Sequence, residues 1–361
     1  EVLAHYREAL PKGKEAEARW ESTLEDYSQN YADLAAQFKR VISGKLPENW
    51  QEVLPTFEPS VKGLATRSAS NKIINALAGV IPELVGGSAD LSGSNSTTIK
   101  DTLSFQKDSY KGRNVNYGVR EHAMGAINNG LNQHGGLISF SATFLVFSDY
   151  LRPTIRISAL SATGSIWIFS HDSILLGEDG PTHQPIEHLT SLRSMPNLVT
   201  LRPADANETA VAWKIAIERR DAPTVLALTR QPVPTFDRTK FASASGTEKG
   251  AYVMADLGPA PIKLIMMATG SEVELIVKAA EILAEEGVGV RVISFPSWRL
   301  FEAQPQEYQD QVLLPEVKAR LAVEAGTSLG WYKWVGPEGK MITLDRFGAS
   351  APNDFLFKEY G

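Results

Sequence analysis

The sequence predicts an α/β fold of two successive parallel-sheet domains that follow a helical lead-in. Three observations predict it. Apolar runs of strand length alternate with segments whose apolar residues recur every three or four positions, a pattern typical of β-α-β units. This alternation occurs twice, over 59–235 and 248–361, and a stretch with little periodicity separates the two. Residues 1–58 show helical periodicity only. We therefore expect a helical lead-in and linker over 1–58, a first α/β domain over 59–235 and a smaller one over 236–361.

The lead-in helix is predicted from a single amphipathic stretch. Its apolar residues are spaced by three or four positions and would line one helix face; they are Tyr31, Leu34, Ala35, Phe38 and Val41. Gly44 and Pro47 end this stretch, because glycine ends helices and proline cannot continue them.

The first domain is predicted from five short apolar runs and the helices between them. The strands are expected over 84–87, 137–140, 165–169, 198–201 and 224–227, and the helices over 68–80, 119–133, 151–162 and 208–219. In the second helix Met124, Ile127 and Leu131 should point inward. Pro153 lies inside the third predicted helix, 151–162. Because an interior proline costs about 3 kcal/mol, we expect this helix to begin later than residue 151. Residues 231–247 are expected to be a linker.

The second domain repeats the pattern on a smaller scale. Strands are expected over 262–268, 290–295, 319–324 and 340–344, and a helix over 271–286. Ser271 and Glu274 have the spacing of a capping box, and Gly287 would end the helix. The predicted inner face of this helix consists of Val273, Leu275, Ile276, Ala279, Ile282 and Leu283.

Composition excludes several classes of partner and site. The 361 residues are 43% hydrophobic and 22% charged, as in globular proteins, and the net charge of −6 argues against a nucleic-acid surface. No apolar stretch reaches the ~20 residues that span a bilayer, so no membrane partner is expected. The absence of cysteine excludes disulfides and thiolate metal sites and fits a reducing compartment, either the cytoplasm or a plastid stroma.

The densest group of reactive side chains follows the predicted strand over 165–169. The segment 171–185 contains His171, Asp172, Asp179 and His183 together with two glycines. Polar loops at strand ends are where α/β proteins usually build their sites. The sequence therefore places a candidate site here.

The same segment resembles the His-Asp-Ser-Ile-Gly-x-Gly-Glu-Asp-Gly-Pro-Thr-His-Gln-Pro motif of the transketolase family, whose members use thiamine diphosphate. Further landmarks of that family occur in its order, at 65–67, 86–91, 117–126, 142–147, 229–231 and 268–272. Together the similarities run from about residue 20 to residue 361. The resemblance implies a pyrimidine-binding domain and a C-terminal domain.

One family motif is not found. The Gly-Asp-Gly…Asn motif, with which the family holds the cofactor diphosphate and a Mg or Ca ion, does not occur in the sequence. We therefore expect the N-terminal diphosphate-binding domain to be missing here and to be supplied by the same or a partner chain. No metal ligand is assigned within this chain.

The resemblance assigns roles to eleven residues. Glu121 would hydrogen-bond the cofactor pyrimidine and so make its amino group basic. Phe144, Phe147 and Tyr150, spaced by three as on one helix face, would form the pocket of that ring, with Asp90 nearby. The sugar-phosphate ligands would be Arg67, Ser94, His171 and Arg230, while Asp179 and His183 would contact the sugar hydroxyls and the reacting carbons. His171 and His183 count as catalytic together with Glu121.

The implied activity is that of a transketolase fragment, which alone should be inactive. The whole enzyme would move a two-carbon ketol unit from a ketose phosphate to an aldose phosphate through a thiamine carbanion, in the pentose phosphate or reductive pentose phosphate pathway. It would work as a homodimer that contacts through both domains. The alternatives are a related thiamine enzyme (1-deoxyxylulose-5-phosphate synthase or a 2-oxoacid dehydrogenase β subunit) and a non-catalytic assembly module. Leu175 replaces a family glycine and would strain its loop if that position required a positive φ.

Overall fold

A computed structural model describes residues 1–360, which divide into two compact units, Glu1–Glu48 and Asn49 onward. The first unit is helical, as predicted, with α1 (Val2–Arg7), α2 (Ala9–Asn30) and α3 (Ala32–Ile42). Of the predicted apolar face, Ala35 is buried whereas Leu34 and Phe38 remain exposed. No helix among residues 1–360 has the length and apolar character required to cross a bilayer.

The first of the two large sheets in the second unit is parallel and has five strands in the order β2-β3-β4-β6-β5. Its central strands are buried along their whole length, which explains why they read as continuous apolar runs in the sequence. The strands are β2 (Leu84–Ser88), β3 (Ile138–Phe144), β4 (Ile166–Ser170), β5 (Val199–Leu201) and β6 (Thr224–Leu228). All five predicted strands are confirmed, with boundaries that differ by a few residues at most.

Helices join these strands: α4 (Thr66–Val80), α5 (Ser92–Asn95), α6 (Glu121–His134), α7 (Ser148–Leu160), α8 (His188–Arg193) and α9 (Ala206–Glu218). In α6 Met124 is fully buried, but Ile127 is 47% exposed, so its predicted inward orientation was wrong. The expectation for α7 was also wrong, because the helix begins earlier, at Ser148, and keeps Pro153 in its interior. Because proline has no backbone N–H, the Asp149 carbonyl does not receive the helical hydrogen bond that residue 153 would otherwise donate.

A short antiparallel pair of strands lies outside the main sheet. β1 (Ser60–Leu64) pairs with β7 (Val233–Thr235). The predicted linker over 231–247 therefore contains a strand. The three residues of β7 carry too little periodicity to be recognised as a strand without their partner strand β1.

The second sheet has the order β12-β11-β9-β10-β8 and is mixed, which corrects the expectation that it is parallel. β8 (Tyr252–Leu257) runs antiparallel to β10 (Val290–Ser294), whereas β9 (Leu264–Ala268), β11 (Arg320–Val323) and β12 (Lys340–Ile342) are parallel to their neighbours. The sequence missed β8 because it is an edge strand of alternating burial and not a continuous apolar run.

Five helices accompany this sheet: α10 (Glu272–Glu285), α11 (Trp298–Glu302), α12 (Gln306–Leu313), α13 (Tyr332–Val335) and α14 (Asn353–Tyr360). The predicted capping box of α10 does not form. The Ser271 hydroxyl donates to the Glu272 carboxylate instead of capping the helix. Leu275 and Ile282 are 36% and 58% exposed, so the inner face is narrower than predicted.

Candidate active site

The carboxyl ends of the parallel strands bring the predicted residues to one edge of the first sheet. Asp90 follows β2, Phe144 ends β3, His171 follows β4 and Arg230 follows β6. Because these strands are parallel and adjacent, the four residues share an edge, which is where open α/β sheets bind ligands. Glu121 begins α6, which leads into the amino end of β3, so this helix end lies toward the same edge.

Three aromatic rings form a slot at this edge. The Phe144 and Phe147 rings are stacked with centroids 5.7 Å apart and an interplanar angle of 11°, and Tyr150 lies 6.1 Å beyond Phe147. The prediction that one helix carries them was wrong, since Phe144 ends a strand, Phe147 lies in a 3-10 turn and only Tyr150 is in α7. Their contact comes from the turn between β3 and α7, and Tyr150 keeps 63% of its surface exposed.

Both predicted histidines contact this aromatic slot. The His171 ring stacks on Phe144 at 3.7 Å between centroids. The His183 ring meets Phe147 edge-on at 5.4 Å and Phe144 at 6.2 Å. The structure thus joins the residues predicted for the cofactor ring and those predicted for the sugar in one cluster. Asp179 is exposed on the same loop, before His183.

Leu175 does not strain this loop. It lies in a 3-10 turn over Ile174–Leu176 and is buried in an apolar cluster that includes Leu356 of α14. The left-handed backbone conformations of this segment fall on Gly177 and Gly180, with φ of 97° and 81°, and on His171 at its start, with φ of 60°. Glycine adopts this region without steric cost. The loop therefore accepts leucine without backbone strain.

A chain of hydrogen bonds fixes the proton on His171. Asn95 Oδ1 accepts from the Ser170 hydroxyl at 2.6 Å, so the Ser170 oxygen is free to accept from His171 Nδ1 at 2.8 Å. Asn95 in turn donates to Ser88 at 3.1 Å. The Nδ1–H tautomer follows, and Nε2 keeps its lone pair. Neither Asn95 nor Ser170 was predicted to take part in the site.

Burial, with the positive charges of Arg67 and Arg230, lowers the pKa of His171 to about 3. The imidazole is therefore neutral at neutral pH. With its proton fixed on Nδ1, it presents an acceptor at Nε2, which suits a hydroxyl group and not an anion.

Arg67 and Arg230 both lie at this edge of the sheet. Neither guanidinium group forms a salt bridge with a carboxylate among residues 1–360. Burial and the charge of Arg230 lower the pKa of Arg67. Reciprocal hydrogen bonds between Thr66 and Thr229, of 3.0 and 2.7 Å, hold the backbones beside these arginines together. Arg67 also donates to the carbonyl of Ser94 at 2.5 Å. Two guanidinium groups that influence each other electrostatically and lack a carboxylate partner are suited to bind an anion.

The described residues fit one end of thiamine diphosphate. Phe147 and Tyr150 keep exposed ring surface that a flat ring could contact, whereas Phe144 lies buried between Phe147 and His171. The half-buried Glu121 carboxylate at the start of α6 has no hydrogen-bond partner among residues 1–360. We identify no set of residues over 49–360 for the diphosphate or its Mg or Ca ion.

Sequence reasoning missed Gln184, which braces the histidine loop against the second domain. Its buried side-chain amide donates to the carbonyls of Ile174, Gly177 and Ala349 at 3.3, 3.0 and 2.9 Å. A side chain at Gly348 would lie 1.8 Å from Gln184 Oε1 and would displace this amide. The second domain therefore helps to position the loop that carries His183.

We expect Gln184→Met to loosen this loop. It leaves three buried or half-buried carbonyls without their donor, which costs about 1–3 kcal/mol. Amide hydrogen exchange over 174–184 should accelerate and urea unfolding should shift accordingly. Gln133→Met, at an exposed glutamine, is the matched control. Unchanged exchange over the loop would contradict the proposed brace.

A buried ionic cluster also connects this loop to the second domain. Arg202 contacts Asp172 at 2.8 Å and also pairs with Glu272, while Arg193 binds Glu324 through two bonds of 2.6 and 2.7 Å. Burial by itself would raise the pKa of Glu324. The opposite effect of the Arg193 guanidinium is larger, so the pKa of Glu324 is lowered to about 2. Burial raises the pKa of Asp172, whose Oδ1 has no hydrogen-bond partner.

Comparison with known protein families agrees with this geometry. Residues 62–235 match the model of the transketolase pyrimidine-binding domain, 250–361 that of the transketolase-like C-terminal domain, and 1–47 that of the transketolase thiamine diphosphate-binding domain. The chain belongs to the transketolase family. The lead-in is therefore related to the diphosphate-binding domain, which corrects the expectation that this domain is missing altogether from the chain.

Relatives and solved structures give the same result. The transketolase of Geobacillus stearothermophilus is 55% identical over 362 residues, which cover all of this chain and 54% of that protein. The chloroplastic transketolase of Craterostigma plantagineum is 50% identical over 364 residues, and this chain covers 69% of it. A transketolase structure from Pichia stipitis in complex with sedoheptulose-7-phosphate has a TM-score of 0.93 at 40% identity, over 99% of this chain and 52% of that one.

The extent of the transketolase match differs among these proteins. The chain spans about half the length of the first curated relatives it matches. A structure described as a split-gene transketolase, an inactive β4 tetramer, matches 83% of this chain and 94% of its own at 25% identity, with a TM-score of 0.66. The relatives and structures named above are all transketolases.

Proposed function

We propose that this chain forms the pyrimidine-binding and sugar-phosphate-binding part of a transketolase site. With a complete diphosphate-binding domain, the protein would transfer a two-carbon ketol unit from a ketose phosphate to an aldose phosphate. The observation that carries the proposal is the contact of the aromatic slot with His171 and His183, beside the two unpaired arginines. Sugar-phosphate complexes of Pichia stipitis transketolases support it.

Each group in the site has one proposed task. Thiamine diphosphate, when bound, supplies the nucleophilic carbon that takes up and releases the two-carbon unit. Phe144, Phe147 and Tyr150 would contact the faces of its pyrimidine ring, and Glu121 would hydrogen-bond a ring nitrogen. Asp90, exposed at the end of β2, would lie at the edge of this pocket.

The sugar phosphate would bind across the same edge of the sheet. Arg67 and Arg230 would hold its phosphate with Ser94. The fixed Nε2 acceptor of His171 and the Asp179 carboxylate would orient its hydroxyl groups. His183, whose Nδ1 lies 2.9 Å from the Thr182 hydroxyl, would carry a proton at the reacting carbons.

We also propose that the protein works as a homodimer. Apolar side chains on and before α6 and α7 are exposed: Val119, Ile127, Ile157 and Leu160. Exposed apolar side chains on two helices that pack together would suit an interface with a second copy of the chain. Bacterial and chloroplast proteins are among the relatives, so the cytoplasm and the plastid stroma are the proposed compartments.

The experiment uses a fusion of this chain to the N-terminal region of the Geobacillus stearothermophilus transketolase that the chain does not match. We call this fusion the completed protein. We expect ketol transfer by the completed protein and none by the 361-residue chain. Arg230→Gln should lower kcat/KM for a ketose phosphate about 10- to 100-fold, since a charged hydrogen bond contributes about 1.5–3 kcal/mol. A 2-keto donor without phosphate should be affected little.

Arg19→Gln, at an exposed arginine paired with Glu15, is the matched control for this test. Equal loss for both donors would contradict the phosphate role of Arg230. A completed protein that folds and binds thiamine diphosphate but transfers no ketol unit would contradict the proposed function itself.

A further inference from the structure

A glycine in α6 allows this helix to approach α7 closely. Gly125 is buried where the two helices meet, and the buried side chains of Leu151 and Thr154 in α7 face it. A methyl group at position 125 would lie 2.2 Å from Thr154 Oγ1, 2.6 Å from Leu151 Cδ2 and 2.9 Å from Thr154 Cβ. The Leu151 atom ends a flexible side chain, whereas the backbone of α7 fixes the Cβ of Thr154. A side chain at position 125 would therefore push the two helices apart.

Packing explains why glycine occupies this position. Gly125 lies inside α6, four residues after its first residue, and glycine in a helix interior is less favourable than alanine. Thr154 cannot easily turn away from it, because its hydroxyl donates to the Leu151 carbonyl at 2.7 Å. The chain thus has a locally unfavourable residue where the side chains of α7 leave no room for a larger one.

α6 and α7 run in the same direction, because they lead into the adjacent parallel strands β3 and β4. Their contacts advance together along both helices. Gly125 faces the turn at 151–154, and Asn129, one turn later, donates to the last carbonyl of that turn at 2.8 Å. After a further turn, the Gln133 amide donates to the hydroxyl of Thr163, just past the end of α7, at 3.3 Å. Residues four apart on α6 therefore mark successive levels of one helix contact.

One turn toward the helix starts, the same contact brings Glu121 to the aromatic slot. Glu121 precedes Gly125 by four residues and so lies on the same face of α6. Phe147 and Tyr150 precede the two α7 residues that face Gly125 by the same four residues. The carboxylate and these two rings are thus at one level of the helix pair. The approach of the helices at Gly125 controls the space between them.

We propose that Gly125 is a positioning residue, whose missing side chain sets the distance between the Glu121 carboxylate and the aromatic slot. The inference rests on the proposed function, in which Glu121 hydrogen-bonds the ring that the slot contacts. A larger residue would move α6, and Glu121 with it, away from the slot. A displacement of about 1 Å can lower turnover by about 10²-fold. Arg67 in α4 and Arg230 after β6 lie on other elements and would keep their positions.

The first test is Gly125→Ala in the completed protein with saturating thiamine diphosphate. We expect kcat for ketol transfer to fall about 10- to 100-fold. The KM for the ketose phosphate should stay within about threefold, since its proposed ligands do not move. Gly79→Ala is the matched control, because Gly79 is an exposed glycine of α4 where a methyl group would meet no atom of residues 1–360 within 4 Å. The control should keep both values, and full kcat in Gly125→Ala would overturn the proposal.

An exchange of the two facing residues separates positioning from stability. Thr154→Gly removes both Thr154 atoms that crowd the added methyl group, so Gly125→Ala combined with Thr154→Gly should regain kcat to within about threefold of the unmodified protein. Because this double variant has a glycine in α7, urea unfolding should show it to be less stable than the unmodified protein despite its recovered turnover. It also keeps the test valid if Gly125→Ala alone fails to fold. A double variant that folds without regaining kcat would overturn the proposal.

A last variant identifies the group through which Gly125 acts. In a protein that already carries Glu121→Gln, the change Gly125→Ala should lower kcat by less than about threefold, because the carboxylate that it positions is absent. A further loss of about tenfold or more would overturn the proposal. Inactivity of the unmodified completed protein would instead overturn the proposed function on which the inference rests.

Discussion

In the completed protein, Glu121→Gln is expected to lower kcat for ketol transfer by about 10²–10⁴-fold, the usual contribution of a positioned acid or base. Glutamine preserves the size of the side chain and the helix start at residue 121. It cannot hold the proton that a carboxyl group shares with a ring nitrogen. The measurement is steady-state kinetics together with calorimetric affinity for thiamine diphosphate, which separates binding from turnover.

Glu274→Gln is the matched control for this prediction, because Glu274 also lies in the first turn of a helix, α10. It should leave kcat unchanged. If Glu121→Gln retains kcat within a factor of about three of the unmodified protein, a value too small for acid-base catalysis, the proposed role of this carboxylate is wrong. The proposed sugar-phosphate ligands would then need separate tests.

Arg202→Met is expected to destabilise the chain by about 3–5 kcal/mol, the cost of removing one partner from a buried ionic group. Arg202 is fully buried and compensates Asp172 and Glu272. Its removal leaves three buried carboxylates, with Arg193 as the one cation among residues 1–360 that pairs with them. Urea unfolding monitored by tryptophan fluorescence gives the change in the free energy of unfolding.

The pH dependence distinguishes lost charge compensation from lost packing. In the unmodified chain Glu324 has a pKa of about 2, lower than the usual value near 4.5 in the unfolded chain. Its stabilising contribution is thus present above pH 4.5 and is lost as the pH falls toward 2. In Arg202→Met the uncompensated carboxylates take up protons more readily, so the difference from the unmodified chain should shrink as the pH falls.

Arg19→Met, at an exposed ion pair with Glu15, is the control and should unfold like the unmodified chain. A difference between Arg202→Met and the unmodified chain that stays constant from pH 7 to pH 4 would contradict the electrostatic explanation. It would indicate that the packing of the long side chain, and not its charge, stabilises this region.

Elements with a strong pattern of their own were predictable. β3, β4 and β6 are buried on both faces, so their sequences are continuous apolar runs that need no partner to be recognised. β7 and β8 were missed because a three-residue strand and a half-exposed edge strand depend on neighbours that are distant in sequence. The same limit applies to the capping box of α10, where a long-range partner, Arg202, attracts Glu272.

The candidate site shows the same division. Motif residues such as Glu121, His171 and His183 could be located from the sequence, because their neighbours along the chain carry the pattern. Asn95, Ser170 and Gln184 could not, since their importance lies in hydrogen bonds to residues that the fold brings near.

The sequence by itself determined the family, the α/β class and the identity of the groups that offer chemistry. Only the tertiary structure decided the state of those groups: the proton position on His171, the unpaired charges of Arg67 and Arg230, and the brace that holds the His183 loop. The physical reason is that residue type and local periodicity are properties of short segments. Protonation, charge compensation and orientation depend on burial and on atoms from other strands and from the second sheet.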